Sequence, residues 1–252
     1  MKKKLITCLD VRDGKLTKGV KFLDNKDLGD PVEAARKYNA DGIDEIVLYD
    51  FTATHEQRGI TLDLVKRVAQ VVTVPFGVGG GIKSLDDIYA ALEAGADKVH
   101  INSAAVQTPD LLTAAVKQFG GTRIVLSTDV LETDAIPSGY EIVINGGRTR
   151  TGIDAIEWVK RGEATGVCEI VVNSIDGDGT QEGFHIPKTR AISEAVSIPV
   201  VASGGGGTVQ HIYDVLTEGK ATTALVASML HFGTYTVQRI KQDLAALGII
   251  EI

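Results

Sequence analysis

An eightfold β/α barrel is the fold class the sequence predicts, and three observations predict it. Eight short apolar runs alternate with helical stretches along 252 residues, the runs read as continuous apolar segments, and the second half of the chain repeats landmarks of the first. A strand covered on both faces loses the in/out alternation of a half-exposed one, so continuous runs point to a parallel sheet sheathed in helices. Strand-then-helix repetition builds βαβ units, and about 250 residues is the usual length of one closed barrel domain. An open doubly wound sheet is the competing arrangement; two matched halves of four units favour closure.

The strands are expected at Leu5–Leu9, Glu45–Tyr49, Pro75–Val78, Lys98–Asn102, Arg123–Thr128, Cys168–Asn173, Pro199–Ala202 and Thr223–Ala227. Helices follow with recognisable starts. Asp30-Pro31-Val32-Glu33 offers an N-cap, a proline at the first helical position and a carboxylate in the first turn. Ser84-Leu85-Asp86-Asp87 and Thr108-Pro109 give similar signals, and helical periodicity covers Leu62–Val71, Ile153–Thr165, Pro187–Ala195, Val209–Thr217 and Val237–Leu247.

The internal repeat carries the organisation. Gly42-Ile43-Asp44-Glu45-Ile46-Val47 returns as Gly166-Val167-Cys168-Glu169-Ile170-Val171, and Val74-Pro75 with Gly80-Gly81 returns as Ile198-Pro199 with Gly204-Gly205. Leu9-Asp10-Val11 returns as Thr128-Asp129-Val130. No linker separates the halves, so residues 1–252 are expected to form one (β/α)8 TIM-type barrel domain of two half-barrels, about 1–120 and 121–252.

The formal net charge of −7 argues against a general nucleic-acid binder, which needs a positive excess. No run approaches the ~20 apolar residues of a membrane span. The basic start Met1-Lys2-Lys3-Lys4 is followed by only Leu5–Leu9 before Asp10, too short for a secretory signal. Cys8 and Cys168 are too few for a disulfide framework and read as small core residues in a reduced, cytoplasmic protein.

Asp10 and Asp129 end the first and fifth runs. In an eightfold barrel those strands face each other, and both tips lie on the face where barrel active sites form. Two carboxylates in unlike surroundings can divide acid and base roles between them. Gly79-Gly80-Gly81 and Gly204-Gly205-Gly206-Gly207 follow the third and seventh strands, with Asn102-Ser103 and Ala227-Ser228 after the fourth and eighth. Glycine lets backbone N–H groups approach an anion, so the doubled arrangement suggests an elongated bisphosphate ligand. Asp176-Gly177-Asp178-Gly179-Thr180 lacks the acidic twelfth position of a calcium loop, where Pro187 stands, and reads as a loop over a ligand. Lys18-Gly19, in a long polar stretch after the first strand, reads as a mobile anion contact or a solvated lysine. His55, His100, His185, His211 and His231 show no metal-ligand spacing, and His100 reads as a satisfied core or pocket-rim residue. No metal and no cofactor are expected.

Cys8-Leu9-Asp10-Val11-Arg12-Asp13-Gly14, Lys18-Gly19-Val20, Val78-Gly79-Gly80-Gly81-Ile82, Ile101-Asn102-Ser103-Ala104-Ala105, Asn173-Ser174-Ile175-Asp176, Asp178-Gly179-Thr180 and Ala202-Ser203-Gly204-Gly205 together resemble the cyclase-subunit family of imidazole glycerol phosphate synthases. The resemblance runs from about residue 4 to the last helix. It implies a lyase of histidine biosynthesis that closes the imidazole ring of imidazole glycerol phosphate from ammonia and a bisphosphate aminoimidazole-carboxamide ribonucleotide precursor. The purine intermediate aminoimidazole carboxamide ribonucleotide is the second product. It also implies a glutaminase partner docked at the opposite barrel face, with ammonia passing through the barrel. Asp10 and Asp129 match the family's catalytic pair, Asp10 assisting ammonia attack and imine formation, Asp129 protonating the leaving side. Gly81, Asn102 and Ser103 match one phosphate site; Gly179, Gly205 and Ser228 match the other; Lys18 and Asp178 match ligand-covering positions. Lys4, Glu45, Lys98 and Glu169 match a charged ring at the ammonia entrance.

The chain departs from the family pattern at Thr7, usually proline, at Lys4, usually arginine, at Gly177, where arginine is common, and around Ser127-Thr128-Asp129-Val130-Leu131. Gly162 falls within a predicted helix, costing about 1 kcal/mol relative to alanine. Two alternatives follow: the sister sugar isomerase of the same pathway, whose first strand carries a Pro-Ala-Ile-Asp-Leu-like motif, and a phosphate-binding barrel scaffold without turnover.

Overall fold

The computed structural model describes residues 2–20, 23–50 and 61–250. His55 lies outside them. In chain order the elements are β1 (Lys4–Arg12), β2 (Lys15–Val20), β3 (Leu23–Gly29), α1 (Pro31–Ala40), β4 (Glu45–Asp50), α2 (Leu62–Ala69), β5 (Phe76–Gly79), α3 (Leu85–Glu93), β6 (Lys98–Ile101), α4 (Ser103–Gln107) and α5 (Asp110–Phe119). Then come β7 (Ile124–Glu132), β8 (Tyr140–Ile144), β9 (Thr149–Asp154), α6 (Ala155–Ala164), β10 (Glu169–Ser174), α7 (Ile186–Ala195), β11 (Val200–Ser203), α8 (Val209–Thr217), β12 (Thr223–Leu225), α9 (Ser228–His231) and α10 (Val237–Ala246).

Eight parallel strands close on themselves in the order β1-β4-β5-β6-β7-β10-β11-β12, with β12 pairing back to β1. These are the eight apolar runs of the sequence. β1 and β7 are first and fifth around the ring, so Asp10 and Asp129 lie on facing strands. Alternation along each strand divides the core in two. Ile6, Cys8, Val47, Val125, Val171, Val201, Leu225 and Ala227 fill the barrel interior. Their neighbours, such as Leu5, Leu9, Ile46, Leu48, Leu126 and Ile170, pack outward against the helices.

The capping chemistry explains most helix starts. Asp30 accepts from the Val32 N–H ahead of α1, and Asp154 accepts from Ile156 and Glu157 ahead of α6. At α3 the Ser84 hydroxyl accepts from the Asp87 N–H and donates to the Asp87 carboxylate. The Thr108-Pro109 signal marks a junction instead. Thr108 ends the short α4, Pro109 stands before α5, and no side chain caps that helix. Gly162 has a packing reason to sit within α6: a Cβ there would lie 2.2 Å from Leu126 Cδ2 on β7. Thr222, just before β12, turns its hydroxyl to the neighbouring strand, donating to the Val200 carbonyl at 2.9 Å and accepting from its N–H at 3.0 Å.

The stretch after β1 departs from the expected mobile loop. It is an antiparallel pair, β2 with β3, attached to the end of β1 through Val11↔Leu16. A second such pair, β8 with β9, extends β7 at the matching position in the other half. Both rise from the strand C-termini, where they wall the site.

Candidate active site

A cavity of about 660 Å³ opens at the C-terminal ends of the barrel strands. Asp10 and Asp129 both line it, with Lys18, Gly81, Asn102, Ser103, Asp178, Gly179, Gly205 and Ser228. All ten residues expected at the ligand therefore meet in one pocket.

The two aspartates differ in what holds them. Lys18 Nζ donates to Asp10 Oδ2 at 2.7 Å and to Asp178 Oδ1 at 3.4 Å. Burial alone would raise Asp10, but the Lys18 ammonium and its hydrogen bond outweigh it and hold the carboxyl below its ordinary range. Lys18 is buried rather than solvated: it reaches the pocket from β2, and although burial alone would lower its pKa, Asp10 and Asp178 together raise it. Asp178 is pushed up by burial, with Lys18 opposing.

Among the described residues Asp129 has no cation as a partner. Asn102 Nδ2 donates to Oδ2 at 3.1 Å and Asn173 Nδ2 to Oδ1 at 3.0 Å. Burial dominates, the two amides only partly offset it, and Asp178 adds to it, so the pKa rises to about 6. The pocket thus holds one carboxyl that stays ionised and one that takes a proton near neutrality.

The glycine clusters flank this pair. Gly80 and Gly204 have φ of +89° each, and a Cβ would meet the Asp50 carbonyl oxygen at 2.1 Å or that of Ser174 at 2.6 Å. Only glycine lets the chain turn this close to the preceding strand tip. Beyond β6 and β12 stand the short helices α4 and α9, opened by Asn102 and Ala227 with no side-chain cap bond. Their first backbone N–H groups are the donors a helix leaves for an anion. Ser103 Oγ accepts from the Asn145 N–H at 3.0 Å, tying the first of these helices to the β8–β9 turn.

The remaining four expected residues lie at the other end of the barrel, at the first positions of β1, β4, β6 and β10. Lys98 Nζ lies 2.8 and 3.0 Å from the Glu45 oxygens and 2.9 Å from Glu169 Oε1. Burial and the Glu169 charge raise Glu45, and Lys98 opposes them. Lys4 makes no ion pair among the described residues and acts on Glu45 by its charge alone.

Several residues were not anticipated. Asn173 holds Asp129. Lys188, fully buried on α7, donates to the Val130 carbonyl, Ser174 Oγ and Asp176 Oδ2, fastening β7 to β10 and to the loop that carries Asp178. Asn145, Gly146, Arg148 and Thr149 line the pocket from the β8–β9 turn; the Asn145-Gly146 pair between two strand-like runs was the available signal. His100 is buried as expected but only half satisfied: Nδ1 meets Tyr49 Oη at 2.9 Å, and Nε2 has no partner among the described residues. Burial, with Lys98 adding to it, pushes its pKa down to about 3. Cys8 lines the pocket floor, and Cys168 is only partly buried; both are free thiols.

The fold and site define a (β/α)8-barrel protein with a paired-aspartate pocket between two glycine turns at the strand C-termini. The family described as "Histidine biosynthesis protein" matches residues 4–236. Three relatives bear the name "Imidazole glycerol phosphate synthase subunit HisF". That of Oleidesulfovibrio alaskensis is 55% identical over 251 residues, 98% of this chain and 97% of the relative. That of Desulfatibacillum aliphaticivorans is 56% identical over 252 residues, 99% and 97%. That of Nitratidesulfovibrio vulgaris is 54% identical over 251 residues, 98% and 97%. The chain belongs to the histidine biosynthesis protein family.

Proposed function

We propose that the chain is the cyclase subunit of an imidazole glycerol phosphate synthase, a lyase of histidine biosynthesis. It takes ammonia and a bisphosphate aminoimidazole-carboxamide ribonucleotide precursor to imidazole glycerol phosphate and aminoimidazole carboxamide ribonucleotide. One observation carries the reading: facing strands present two carboxyls of opposite protonation preference to one pocket. Ammonia attack on a carbonyl gives an imine as the carbonyl oxygen leaves as water, and needs a base that accepts nitrogen-bound protons; cleavage of the precursor needs an acid that protonates the departing nitrogen. Asp10, kept ionised by Lys18, supplies the first. Asp129, with a pKa of about 6, supplies the second. A carboxyl at that value keeps its proton in roughly one molecule in ten at neutral pH and reloads readily.

Gly81, Asn102 and Ser103 take one phosphate, and Gly179, Gly205 and Ser228 the other, so that the reacting centre spans the aspartates. Lys18 and Asp178 close over it. Ammonia enters past Lys4, Glu45, Lys98 and Glu169 from a glutaminase subunit docked at the strand N-termini. Among the described residues no helix is long and apolar enough to cross a membrane, and the free thiols favour a reduced, cytoplasmic setting.

The test is an ammonium-dependent cyclisation assay with the bisphosphate precursor, run at alkaline pH where free ammonia is available. The expected result is turnover by the parent and its loss in Asp10→Asn, with substrate affinity kept within about tenfold, or ~1.4 kcal/mol. A parental rate in Asp10→Asn removes that residue from the mechanism. Binding of the bisphosphate without turnover by the parent makes the chain a scaffold instead.

A further inference from the structure

The barrel interior holds a cluster that the strand-tip chemistry does not use. Glu45, His100 and Glu169 are all buried, and one potential ligand atom of each lies within 4.8 Å of the others. These are carboxylate oxygens and an imidazole nitrogen, a donor set suited to borderline transition ions and poorly suited to the all-oxygen shells of calcium or magnesium.

The imidazole supplies a second, independent observation. Tyr49 Oη engages Nδ1 at 2.9 Å. This contact suits either tautomer; in the one where Nδ1–H donates to the phenol, Nε2 carries the lone pair, as in a metal-binding histidine whose other nitrogen is held by an outer group. Nε2 is buried with no partner among the described residues. It lies over Gly77, where a Cβ would come within 2.6 Å of it. Gly77 is level with Lys98 in the β5–β6 register. The free nitrogen therefore leans toward the carboxylate level, away from Asp129 at the opposite end of the barrel.

We propose that Glu45, His100 and Glu169 form a binding site for a divalent transition ion of the zinc or cobalt type, in competition with Lys98 for the two carboxylates. Lys98 now neutralises that pair with one charge, at 2.8 and 2.9 Å. A divalent ion brings two charges to the same oxygens and also engages the imidazole, which the lysine, a donor only, does not reach among the contacts it makes. The glutamate side chains supply the movement needed to bring donors to the ~2.0–2.2 Å of a metal bond, and a fourth position stays open to water. Lys98 is displaced toward the barrel floor. Glu45 and Glu169 also belong to the proposed ammonia entrance, but whether an ion binds there does not depend on that reading. The consequence of binding does: an ion held at the charged ring narrows the way by which ammonia enters.

Cobalt(II) titration of the chelator-treated full chain tests this, read by visible d–d absorption and by calorimetry. One ion per chain is expected, with the absorption of a four- or five-coordinate site. His100→Ser should weaken binding at least about tenfold. Gly77→Ala removes no ligand but crowds Nε2, and should weaken binding as well. Lys98→Met removes the competitor and should tighten it. No binding by the parent at millimolar cobalt overturns the proposal, as does equal affinity in the parent, His100→Ser and Gly77→Ala, which puts the ion elsewhere. Circular dichroism of each variant separates lost binding from lost fold. The cyclisation assay is run on metal-free protein, so a failure of turnover leaves the binding result intact, and the reverse.

Discussion

Asp129→Asn separates the electrostatic cost of the second aspartate from its catalytic use. The Asp129 carboxyl rises from an ordinary 3.8 to about 6 because burial disfavours its ionised form more than the Asn102 and Asn173 amides favour it. That difference makes the ionised form about 3 kcal/mol less favourable in the folded protein than in the unfolded chain. The sign follows from proton uptake. Between the two values the folded state holds the proton and the unfolded state has released it, so stability falls as pH rises through this window and levels off above about 6. Asparagine removes the titration. It also leaves one of the two amide contacts to be rearranged, because a single carbonyl oxygen replaces two carboxylate oxygens, at a cost of about 1 kcal/mol. The variant should be about 1 kcal/mol less stable than the parent near pH 4 and about 2 kcal/mol more stable near pH 8, while turnover is lost. Urea unfolding of both proteins across that range measures the crossing. A difference that is flat with pH, or a variant less stable at every pH, refutes the assignment of Asp129 as a carboxyl strained by burial.

Lys18→Met leaves Asp10 and Asp178 buried without their shared cation, which should cost about 3–5 kcal/mol at neutral pH. The Asp10 carboxyl, held low in the parent, contributes stability that is present above its unfolded value and lost as pH falls through the folded one. In the variant burial acts on both carboxyls without the opposing cation and raises them, so they take up protons as pH falls and the deficit should shrink, which urea unfolding at neutral and mildly acid pH reads. Gly162→Ala sets two effects against each other: a helix-propensity gain of about 1 kcal/mol and a Cβ 2.2 Å from Leu126 Cδ2. Overpacking should win, for a net loss of about 1–2 kcal/mol by thermal or urea unfolding; a more stable variant would show that α6 can move off β7. Gly205→Ala puts a Cβ 2.0 Å from the Gly183 carbonyl oxygen at a φ of +105°, so it should open the Gly183 N–H to Gly205 carbonyl bond of 2.8 Å. Calorimetric titration with the bisphosphate should show affinity down more than about tenfold.

What was legible in the sequence follows from which interactions are local. The eight barrel strands were readable because each is a short apolar run with covered faces, and the glycine turns because the chain repeats them. β3, Leu-Asp-Asn-Lys-Asp-Leu-Gly, and β9, Thr-Arg-Thr-Gly-Ile-Asp, were not, because they carry no apolar pattern. Their pairing comes from the strands beside them, so from sequence alone Lys18 reads as a mobile anion contact or a solvated lysine. Contacts across long separations were beyond reach: Lys18 with Asp178 is 160 residues apart, Asn173 with Asp129 is 44, and Lys188 with Val130 is 58.

That division bears on how the acid/base pair arises. The repeat explains why two carboxyls stand at facing strand tips, and taken alone it would make them equivalent. Their difference comes from what each half adds around the matched position. Around Asp10 the first half sends in a lysine from β2, whereas around Asp129 stand two asparagine amides, Asn102 just after β6 of the first half and Asn173 on β10 of the second. A cation lowers one carboxyl, and neutral donors fail to offset burial at the other. The similarity of the halves thus builds the pocket, and their divergence sets the protonation order within it. Exchanging those neighbours, rather than the aspartates themselves, is the change that should reverse the order.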